Sequence, residues 1–528
     1  MREIFRDMGI VCVVCAKRHG TMYGEERCQL TSMSHLAMDL LLLSLPPLFL
    51  LLYTTTKHLL HHLRHHPPTP YPTLPILGHL YFFTNPTLPF HRALSRVSRR
   101  HGPALLLQLG SRPALVVSSP AAARQCLARN DVVFASRPTL LNGKHFGYNF
   151  TSLAWAPYGD HWRNLRRLSA AHLLSARSLA AVAAVRAAEA RALARKLGGI
   201  GGGEAVDMIE AFFEHAYRVV AAMIAGAAAE DGEAAAFREI VAEMAAAAAA
   251  ANVVDFVPVL GWFGFGGVER KMRLVQEKRD GFMENFIGKY RRGGGNLIGI
   301  LLDLQRAEPE YYTDEMIRNL ILVLIQGATH TSATTLEWAF SLLLENQDNV
   351  LARARGEIDD VVGKRRLLDG SDLPRLPYLG CIINETLRMH PAAPLLTPHV
   401  SSDECRVEGF HVPRGTMLLV NAWEIHNNPE TWEDPEKFVP ERFEGGKVES
   451  RTEFEFEFLP FGRGRRACPG QRLAIEMVGV ALGCLIQCFE WEKIGEIDMK
   501  EGKGVITPRV QPLRAKLIPR PFLTNLLA

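Results

Sequence analysis

The sequence lacks several features that mark common classes of protein. Its 528 residues carry a formal net charge of only +4, too small to indicate a nucleic-acid partner. The nine cysteines are odd in number and irregularly spaced, which argues against a disulfide framework and indicates a reducing compartment. The chain shows no internal repeat and no flavin- or nucleotide-binding motif. We therefore interpret residues 79–528 as one large domain.

An apolar run over residues 40–53 lies near the N-terminus. With its flanks it approaches the roughly 20 residues that a helix requires to span a bilayer. Lys57, Arg64 and several histidines follow it, and the positive-inside rule then leaves the rest of the chain in the cytosol. A cleaved signal peptide is the alternative, but no A-x-A-like cleavage site follows the run. We predict a membrane anchor over residues 38–56.

The residues on either side of this anchor differ from the rest of the chain. Residues 1–37 carry both charge signs without periodicity, and Met38 stands directly before the apolar run. We predict that they are a gene-model extension or a disordered leader, with translation starting at Met38 or Met33. Residues 57–78 are first basic and histidine-rich and then proline-rich, which predicts a stiff hinge.

A glycine- and arginine-rich loop over residues 460–470 ends in one cysteine, Cys468, followed by Pro-Gly and an apolar helical run. Pro469 suits the first position of that helix. Cys468 is therefore expected at a helix N-terminus, where the dipole and free amides stabilise a thiolate. The glycines allow a flat ligand to approach the backbone, and Arg466 offers a cation to an anionic group. The alternative for this loop alone is a buried structural cysteine.

The spacing within this loop is more specific than its composition. Phe461, Gly464, Arg466, Cys468 and Gly470 fill the pattern F-x-x-G-x-R-x-C-x-G, which resembles the haem-thiolate loop of the cytochrome P450 superfamily. The resemblance implies that Cys468 ligates the iron of haem b and that the other four residues form the haem-binding loop. It also implies the P450 fold, mainly α with small β-sheets, behind the N-terminal anchor.

Two further sites are expected to bind the haem propionates. Trp162 and Arg166 lie four residues apart and share a helix face, where an indole N–H and a guanidinium suit a carboxylate. A solvated basic face is the alternative for this pair. His399 is a candidate for the second propionate, and a histidine satisfied by backbone groups is the alternative there.

A long helix is predicted from Thr313, a capping residue, to Glu345. The family has A-G-x-D/E-T-T/S in its distal helix, and Thr331 with the following serine matches the last pair. The resemblance implies that Thr331 holds the water that delivers protons to dioxygen. His330 occupies the acid position and is the second predicted catalytic residue, because a neutral imidazole can still relay protons.

The resemblance also predicts structural and substrate-contacting residues. Glu385 and Arg388 form an E-x-x-R element, and Arg442 lies in a P-E-R-F element further along the chain. The three are expected to form a buried triad that holds the cysteine loop. Five residues are expected to line the substrate cavity. Ala393, Leu395 and Leu396 follow the E-x-x-R element, and Val505 and Ile506 lie near the C-terminus.

The function that the resemblance implies is a monooxygenase that uses O2 and electrons from NADPH through a separate reductase, with cytochrome b5 as a further candidate partner. The similarity is greatest to plant enzymes that hydroxylate flavonoids, isoflavones and related phenolics, so the expected substrate is small, hydrophobic and aromatic. The expected location is the endoplasmic reticulum membrane, single-pass, with a cytosolic catalytic domain. One alternative is a haem isomerase or dehydratase of hydroperoxides, and another is a non-catalytic haem-binding paralogue.

Overall fold

The computed structural model of the protein describes residues 22–83, 88–200, 204–262, 267–291, 295–446, 448, 450–451 and 454–522. The chain divides into two compact units. The smaller contains the described residues up to Leu63 together with Tyr71–Pro75, and the larger contains Arg64–Pro70 and the described residues from Ile76 onward. Residues 1–21, part of the predicted leader, lie outside the described residues.

The smaller unit is built on one long helix, α1 (Met22–Leu63). It includes the predicted anchor and begins before it, at Met22. Apolar side chains of the anchor are exposed, and Leu43 is 73% exposed. Apolar surface of this extent marks contact with a membrane or a partner. The assignment of residues 1–37 to a gene-model extension stays a prediction.

The larger unit is mainly helical, as predicted. Its helices before residue 300 are α2 (Phe90–His101), α3 (Pro120–Arg124), α4 (Leu141–His145), α5 (Asp160–Ser169), α6 (Ala176–Ala181), α7 (Ala183–Gly198), α8 (Met208–Ala225), α9 (Glu233–Phe256), α10 (Val259–Trp262), α11 (Val268–Tyr290) and α12 (Leu297–Ala307). The later helices are α13 (Asp314–Glu345), α14 (Ala352–Val361), α15 (Pro377–Met389), α16 (Ala422–His426), α17 (Phe454–Glu457) and α18 (Gln471–Cys488). Short 3-10 and π segments occur at Leu80–Phe83, Gln125–Arg129, Ala170–Leu174, Gln347–Leu351, Leu373–Arg375 and Pro440–Gly446.

The strands form small sheets at the edges of the helical core. They are β1 (Ala104–Leu109), β2 (Arg112–Val117), β3 (Ala205–Asp207), β4 (His399–Val400), β5 (Cys405–Val407), β6 (Phe410–Val412), β7 (Met417–Val420), β8 (Phe489–Lys493) and β9 (Arg514–Pro519). The first sheet has the order β1-β2-β7-β4, the second β3-β9-β8, and β5 pairs with β6. β1 and β2 are an antiparallel pair, with Ala104 opposite Val117 and Leu109 opposite Arg112.

The central element is α13, which packs against α8, α15 and α18. Its start is set by Thr313, whose Oγ1 accepts a hydrogen bond from the Met316 amide at 3.2 Å, as the sequence predicted. α18 is long and apolar enough to cross a membrane, yet 72% of it is buried inside the protein, so it serves as a core helix. The two helices carry opposite walls of one cavity.

Candidate active site

A cavity of about 350 Å³ lies between α13, α15, α18 and the loops that precede them. Cys468 faces it from the loop before α18, and most of its walls are apolar. Among the described residues that line it, none is an aspartate or a glutamate, whereas four are arginines: Arg137, Arg166, Arg463 and Arg466. Such a cavity suits an apolar ligand that carries negative groups at its edge.

The cysteine loop is closed by its own backbone. The Cys468 amide donates to the Phe461 carbonyl at 2.8 Å. Gly462 and Gly464 have φ angles of 66° and 74°, in the left-handed region that favours glycine. A Cβ on Gly464 would stand 2.4 Å from the Leu127 carbonyl oxygen, so no larger residue fits there. This geometry fixes the position of Cys468 in the cavity wall.

The start of α18 differs from the prediction. The helix begins at Gln471 with Gly470 as its N-cap, so Pro469 precedes the helix instead of occupying its first turn. Burial raises the pKa of the Cys468 thiol, while the Gly470 amide and the Arg166 cation act in the opposite direction. Stabilisation of a thiolate by the helix end stays a prediction. Coordination to a metal ion would deprotonate the thiol.

Two of the predicted haem-binding residues join the cysteine loop to its surroundings. Arg166 on α5 donates from Nη1 to the Ala467 carbonyl at 2.6 Å. Burial and the neighbouring Arg166 lower the pKa of Arg466 to about 10. The Arg466 guanidinium donates to the backbone carbonyls of Ala135, before α4, and of Leu153 and Ala156, after it. These contacts place positive charge at the edge of the cavity, beside the sulfur.

Trp162 and His399 also line the cavity, and each has one ring nitrogen engaged by the backbone. The Trp162 indole donates to the Leu153 carbonyl at 3.1 Å. Nδ1 of His399 lies 2.8 Å from the Phe134 carbonyl, and burial lowers the pKa of this histidine well below its usual value. His399 is thus a neutral histidine with a backbone partner. Propionate contacts of both residues stay predictions.

The middle of α13 presents Gly327, Ala328, Thr331 and Ser332 to the cavity. Thr331 Oγ1 donates to the Gly327 carbonyl at 2.7 Å, one turn earlier on the helix. The helix is continuous here. Ser332 Oγ is buried without a hydrogen-bond partner in the described part of the chain, which marks a place for a polar ligand atom or water.

His330 points away from this wall. Its ring packs 6.4 Å from the ring of Phe213 on α8, and it is not among the described residues that line the cavity. Burial lowers the pKa of His330 below its usual value, so the imidazole is neutral at pH 7. A relay role for this residue requires that protons enter through the contact between α8 and α13.

The predicted triad is brought together in the interior. Arg388 donates from Nε and Nη2 to the two oxygens of Glu385 at 2.7 and 2.8 Å, and both side chains are fully buried. Arg442 Nε donates to the same carboxylate at 3.2 Å. A histidine that the sequence argument missed extends the network, because Arg388 also donates to the His426 carbonyl at 2.9 Å.

His426 connects the triad to the cysteine loop. The Leu459 amide donates to its Nε2 at 2.7 Å, and the Leu459 carbonyl accepts from the Gly462 amide at 3.1 Å. Burial and the nearby Arg388 lower the pKa of His426 to about 3, so its ring is a neutral acceptor. The sequence offered no signal for this role beyond a histidine at the end of a short helix.

The predicted substrate contacts divide into two groups. Ala393 and Leu396 line the cavity. Leu395 packs instead with an apolar cluster on the β1–β2 sheet. Val505 is 62% exposed, and neither it nor Ile506 belongs to the described lining, because the turn that carries them faces outward. The sequence argument also missed Arg137, Thr397 and Ser332, all of which line the cavity.

The family model described as cytochrome P450 matches residues 67–514 of the chain. The chain belongs to the cytochrome P450 family. It is therefore an oxidoreductase of the monooxygenase type, and the family implies a haem-iron cofactor. The residues present fit that group, because a cysteine sulfur faces an apolar cavity whose edge carries arginines and no acid among its described lining.

Several characterised P450 proteins resemble the chain over most of its length. Cytochrome P450 81Q32 of Catharanthus roseus is 45% identical over 476 residues, covering 88% of this chain and 94% of the relative. An isoflavone 3'-hydroxylase of Medicago truncatula is 42% identical, with 86% and 92% covered. The solved structure of a zebrafish cytochrome P450 with progesterone has a TM-score of 0.71 at 25% identity, covering 82% of this chain and all of the other.

Proposed function

We propose that this P450 inserts one oxygen atom of O2 into a small, hydrophobic, aromatic or phenolic plant metabolite, with electrons from NADPH supplied by a separate reductase. The observation that carries the proposal is the Cys468 sulfur facing an apolar cavity that is edged by arginines. The relatives named as isoflavone 3'-hydroxylase and isoflavone 2'-hydroxylase support an aromatic substrate. Haem bound through Cys468 supplies the electron transfer and oxygen activation.

The chain's own residues have separate tasks in this proposal. Cys468 would ligate the haem iron, and Arg166 and Arg466 would neutralise the haem carboxylates. Thr331 stands in the opposite wall and holds a water next to the reacting position, with its hydroxyl anchored on the Gly327 carbonyl. Ser332 offers a second buried hydroxyl on the same wall.

The substrate class follows from the remaining walls. They are formed by aliphatic side chains, which exclude water and leave few groups to bind a charged molecule: Val220, Val323, Leu324, Ile383, Leu387 and Leu396. A flat aromatic ring buries its faces against such walls, and a phenolic hydroxyl finds a partner at Ser332 or Thr397. A strongly anionic substrate would compete with the haem carboxylates for the same arginines.

The experiment that tests the proposal combines a spectrum with turnover. Purified protein with haem, reduced under carbon monoxide, should absorb at roughly 450 nm. With NADPH and a plant reductase it should convert at least one member of a panel of flavones, isoflavones and simple phenolics to a product heavier by one oxygen. Conversion of fatty-acid hydroperoxides without reductase would favour the isomerase alternative. A normal spectrum without conversion of any compound in either assay would favour a non-catalytic paralogue.

The proposal includes a location in the endoplasmic reticulum membrane, single-pass, with the catalytic unit in the cytosol. It is supported by the exposed apolar side chains of α1 and by the basic residues that follow the anchor. Exposed Trp262 in α10 is a further candidate for membrane contact. Carbonate-resistant association of the full chain with microsomes, lost when residues 1–63 are removed, is the expected result.

Exposed arginines lie on the loop and helices next to Cys468, and they favour an electron donor with an acidic docking face. The set comprises Arg163, Arg465 and Arg472, whose exposed guanidinium groups also pair within the chain with Asp160, Asp131 and Glu476, respectively. We predict that Arg465→Glu raises the KM for the reductase at least about fivefold at low salt, because a rim charge mainly affects encounter. The absorption near 450 nm should stay unchanged. Arg273→Glu on α11 makes the same charge change on an exposed residue outside this face and serves as the control.

The dependence of the reductase KM on ionic strength distinguishes electrostatic docking from other causes of a raised KM. Raising the ionic strength from about 0.01 to 0.15 M shortens the Debye length from about 30 to 8 Å. The difference in reductase KM between wild type and Arg465→Glu should shrink accordingly. A fivefold effect that persists at high salt, or one shared by Arg273→Glu, would contradict an electrostatic docking face. Cytochrome b5 added in competition with a limiting amount of reductase tests whether the two proteins use the same face.

His330 gives a further prediction. Replacing it with aspartate restores the acid that the family pattern has at this place, and we expect His330→Asp to preserve or raise the yield of product per NADPH consumed. His330→Asn is the matched control, since it has nearly the size of aspartate but cannot carry a proton. A loss of more than about tenfold in coupled turnover for His330→Asp would instead give the imidazole a role of its own.

A further inference from the structure

A buried carboxylate, Glu501, lies in the segment between β8 and β9 and outside the described lining of the cavity. Its side chain is only 4% exposed. Its Oε2 accepts hydrogen bonds from His91 Nε2 at 3.0 Å and from Arg92 Nε at 2.9 Å, and its Oε1 accepts from His390 Nδ1 at 3.2 Å. One carboxylate therefore joins α2, the end of α15 and the C-terminal part of the chain.

The charge of this carboxylate is balanced locally. Burial raises the pKa of the Glu501 carboxyl, but the hydrogen bonds from its three partners lower it more, so the pKa lies below its usual value. Arg92 is permanently charged, and its side chain is 35% exposed. Burial lowers the pKa of His390 below its usual value, so this histidine donates as a neutral imidazole. Glu501 is therefore ionised, with Arg92 as its counter-charge.

Glu501 belongs to a hairpin over residues 500–510, which we call the C-terminal hairpin. Glu501 and Arg509 face each other in an antiparallel bridge. From the same hairpin, the Thr507 amide donates to the Ala392 carbonyl at 3.1 Å, and Ala392 lines the cavity. A displacement of the hairpin is therefore transmitted to the cavity surface.

His390 connects the carboxylate to the same part of the cavity. It directly precedes residues 391–397, which we call the wall segment, because four of them line the cavity: Ala392, Ala393, Leu396 and Thr397. The His390 ring stacks on the Trp338 indole of α13, with ring centroids 3.7 Å apart and an angle of 4° between the planes. Trp338 Nε1 donates to the Thr507 carbonyl at 3.0 Å. The imidazole that bonds to Glu501 is thus held between α13 and the C-terminal hairpin.

Arg92 connects the carboxylate to a second point of the wall segment. Its guanidinium carbon lies 3.7 Å from the centre of the Trp423 ring, where a cation is attracted to the face of the indole. The Trp423 amide donates to the Pro394 carbonyl at 3.1 Å. The residues that hold the wall segment by its carbonyls are in this way connected to the partners of Glu501.

We propose that Glu501 is a positioning residue that fixes the wall segment against α13 and thereby determines which shapes of aromatic substrate the cavity accepts. The proposal rests on the proposed monooxygenase function and adds a determinant of selectivity to it. Because Glu501 lies outside the described lining, it acts through the backbone of the wall segment and not by touching the substrate. A misplacement of about 1 Å is enough to change how a bound molecule is presented.

Glu501→Met removes all three hydrogen bonds and keeps nearly the length of the side chain. The variant should fold, since Arg92 is partly exposed and water can solvate its charge. Glu501→Asp is the milder variant, because it keeps the charge but withdraws the carboxylate by one methylene from its partners. Glu189→Met is the matched control: Glu189 is 10% exposed and accepts from Arg218 at 2.9 Å, in the contact between α7 and α8.

Hydrogen exchange of the full-length, haem-loaded protein gives a readout that is independent of turnover. In Glu501→Met, peptides covering the wall segment and the C-terminal hairpin should exchange at least about threefold faster than in wild type. Glu501→Asp should show a smaller change in the same peptides, and Glu189→Met should leave them unchanged. The absorption near 450 nm should be the same in all four proteins, because none of the changes touches the cysteine loop.

Spectral titration with flavone and isoflavone measures selectivity, also without turnover. The two molecules are isomers that differ only in the position of the phenyl ring, so the ratio of their dissociation constants reports the shape of the cavity. That ratio should change at least about threefold in Glu501→Met, since a mismatch of one methylene in an apolar pocket is worth about 10- to 200-fold. Glu189→Met should keep the wild-type ratio.

Two results would overturn the proposal. One is unchanged exchange of the wall segment in Glu501→Met, or in Glu501→Asp if the methionine variant does not fold. The other is faster exchange with an unchanged ratio of dissociation constants, which would leave Glu501 a structural residue without influence on selectivity. If neither isomer binds the wild-type protein, the proposed aromatic substrate fails and the role in selectivity fails with it, while the exchange comparison still decides whether Glu501 positions the wall segment.

Discussion

Replacing Cys468 with alanine is expected to abolish the absorption near 450 nm and to lower turnover by more than about a hundredfold. Loss of a residue that merely orients a metal ligand costs 10- to 100-fold, and loss of the ligand itself costs more. The thiol is the sulfur that faces the cavity, so no other described cysteine can replace it. The measurement is the spectrum of reduced protein under carbon monoxide, with bound haem determined separately.

A second variant separates haem binding from thiolate chemistry. Cys468→His supplies an imidazole, which also ligates haem iron but donates less electron density. We expect it to retain haem, to lose the absorption near 450 nm and to lose turnover. Cys405→Ala, a partly buried cysteine on β5, is the control and should behave as wild type. A 450 nm absorption that survives in Cys468→Ala would remove the basis of the proposed function.

Local sequence signals predicted the framework of the site well. The boundaries of α13 followed from the capping Thr313 and its early acids, which act within a few residues. The spacing around Cys468 identified the loop, because its closure uses residues within the same short segment.

The details that failed depend on distant parts of the chain. Residues that line the cavity with Cys468 come from distant parts of the chain, and burial among them raises the pKa of its thiol. His330 faces Phe213 on α8, and Val505 faces solvent, for reasons of packing. Arg137 donates to carbonyls far along the chain, a contact that its neighbours in sequence do not predict.

The triad residues give the second large expected effect. Glu385→Ala leaves the guanidinium of Arg388 buried without its carboxylate, and breaking a buried pair in this way costs about 3–5 kcal/mol. Since whole domains have only about 5–15 kcal/mol of stability, most of the variant should fail to accumulate as folded, haem-loaded protein. The measurement is the thermal midpoint together with the haem content after purification.

A second carboxylate–arginine pair in the chain is exposed to solvent and serves as the matched control. Asp303 and Arg306 have the same i,i+3 spacing on a helix but are exposed, so Asp303→Ala should change the free energy of unfolding by less than about 1 kcal/mol. If Glu385→Ala and Asp303→Ala were equally mild, the carboxylate would not be holding Arg388 in place. The double variant Glu385→Gln with Arg388→Met removes both charges and should recover part of the lost stability.

Hydrogen bonds between the triad and the cysteine loop extend the effect of Glu385→Ala to the active site. Arg388 donates to the His426 carbonyl, and the His426 ring accepts from the Leu459 amide at the start of the loop. Release of Arg388 should therefore loosen the loop before the whole protein unfolds. We expect the residual folded Glu385→Ala protein to lose the 450 nm absorption at a temperature below its unfolding midpoint, whereas in wild type and in Asp303→Ala the two transitions should coincide.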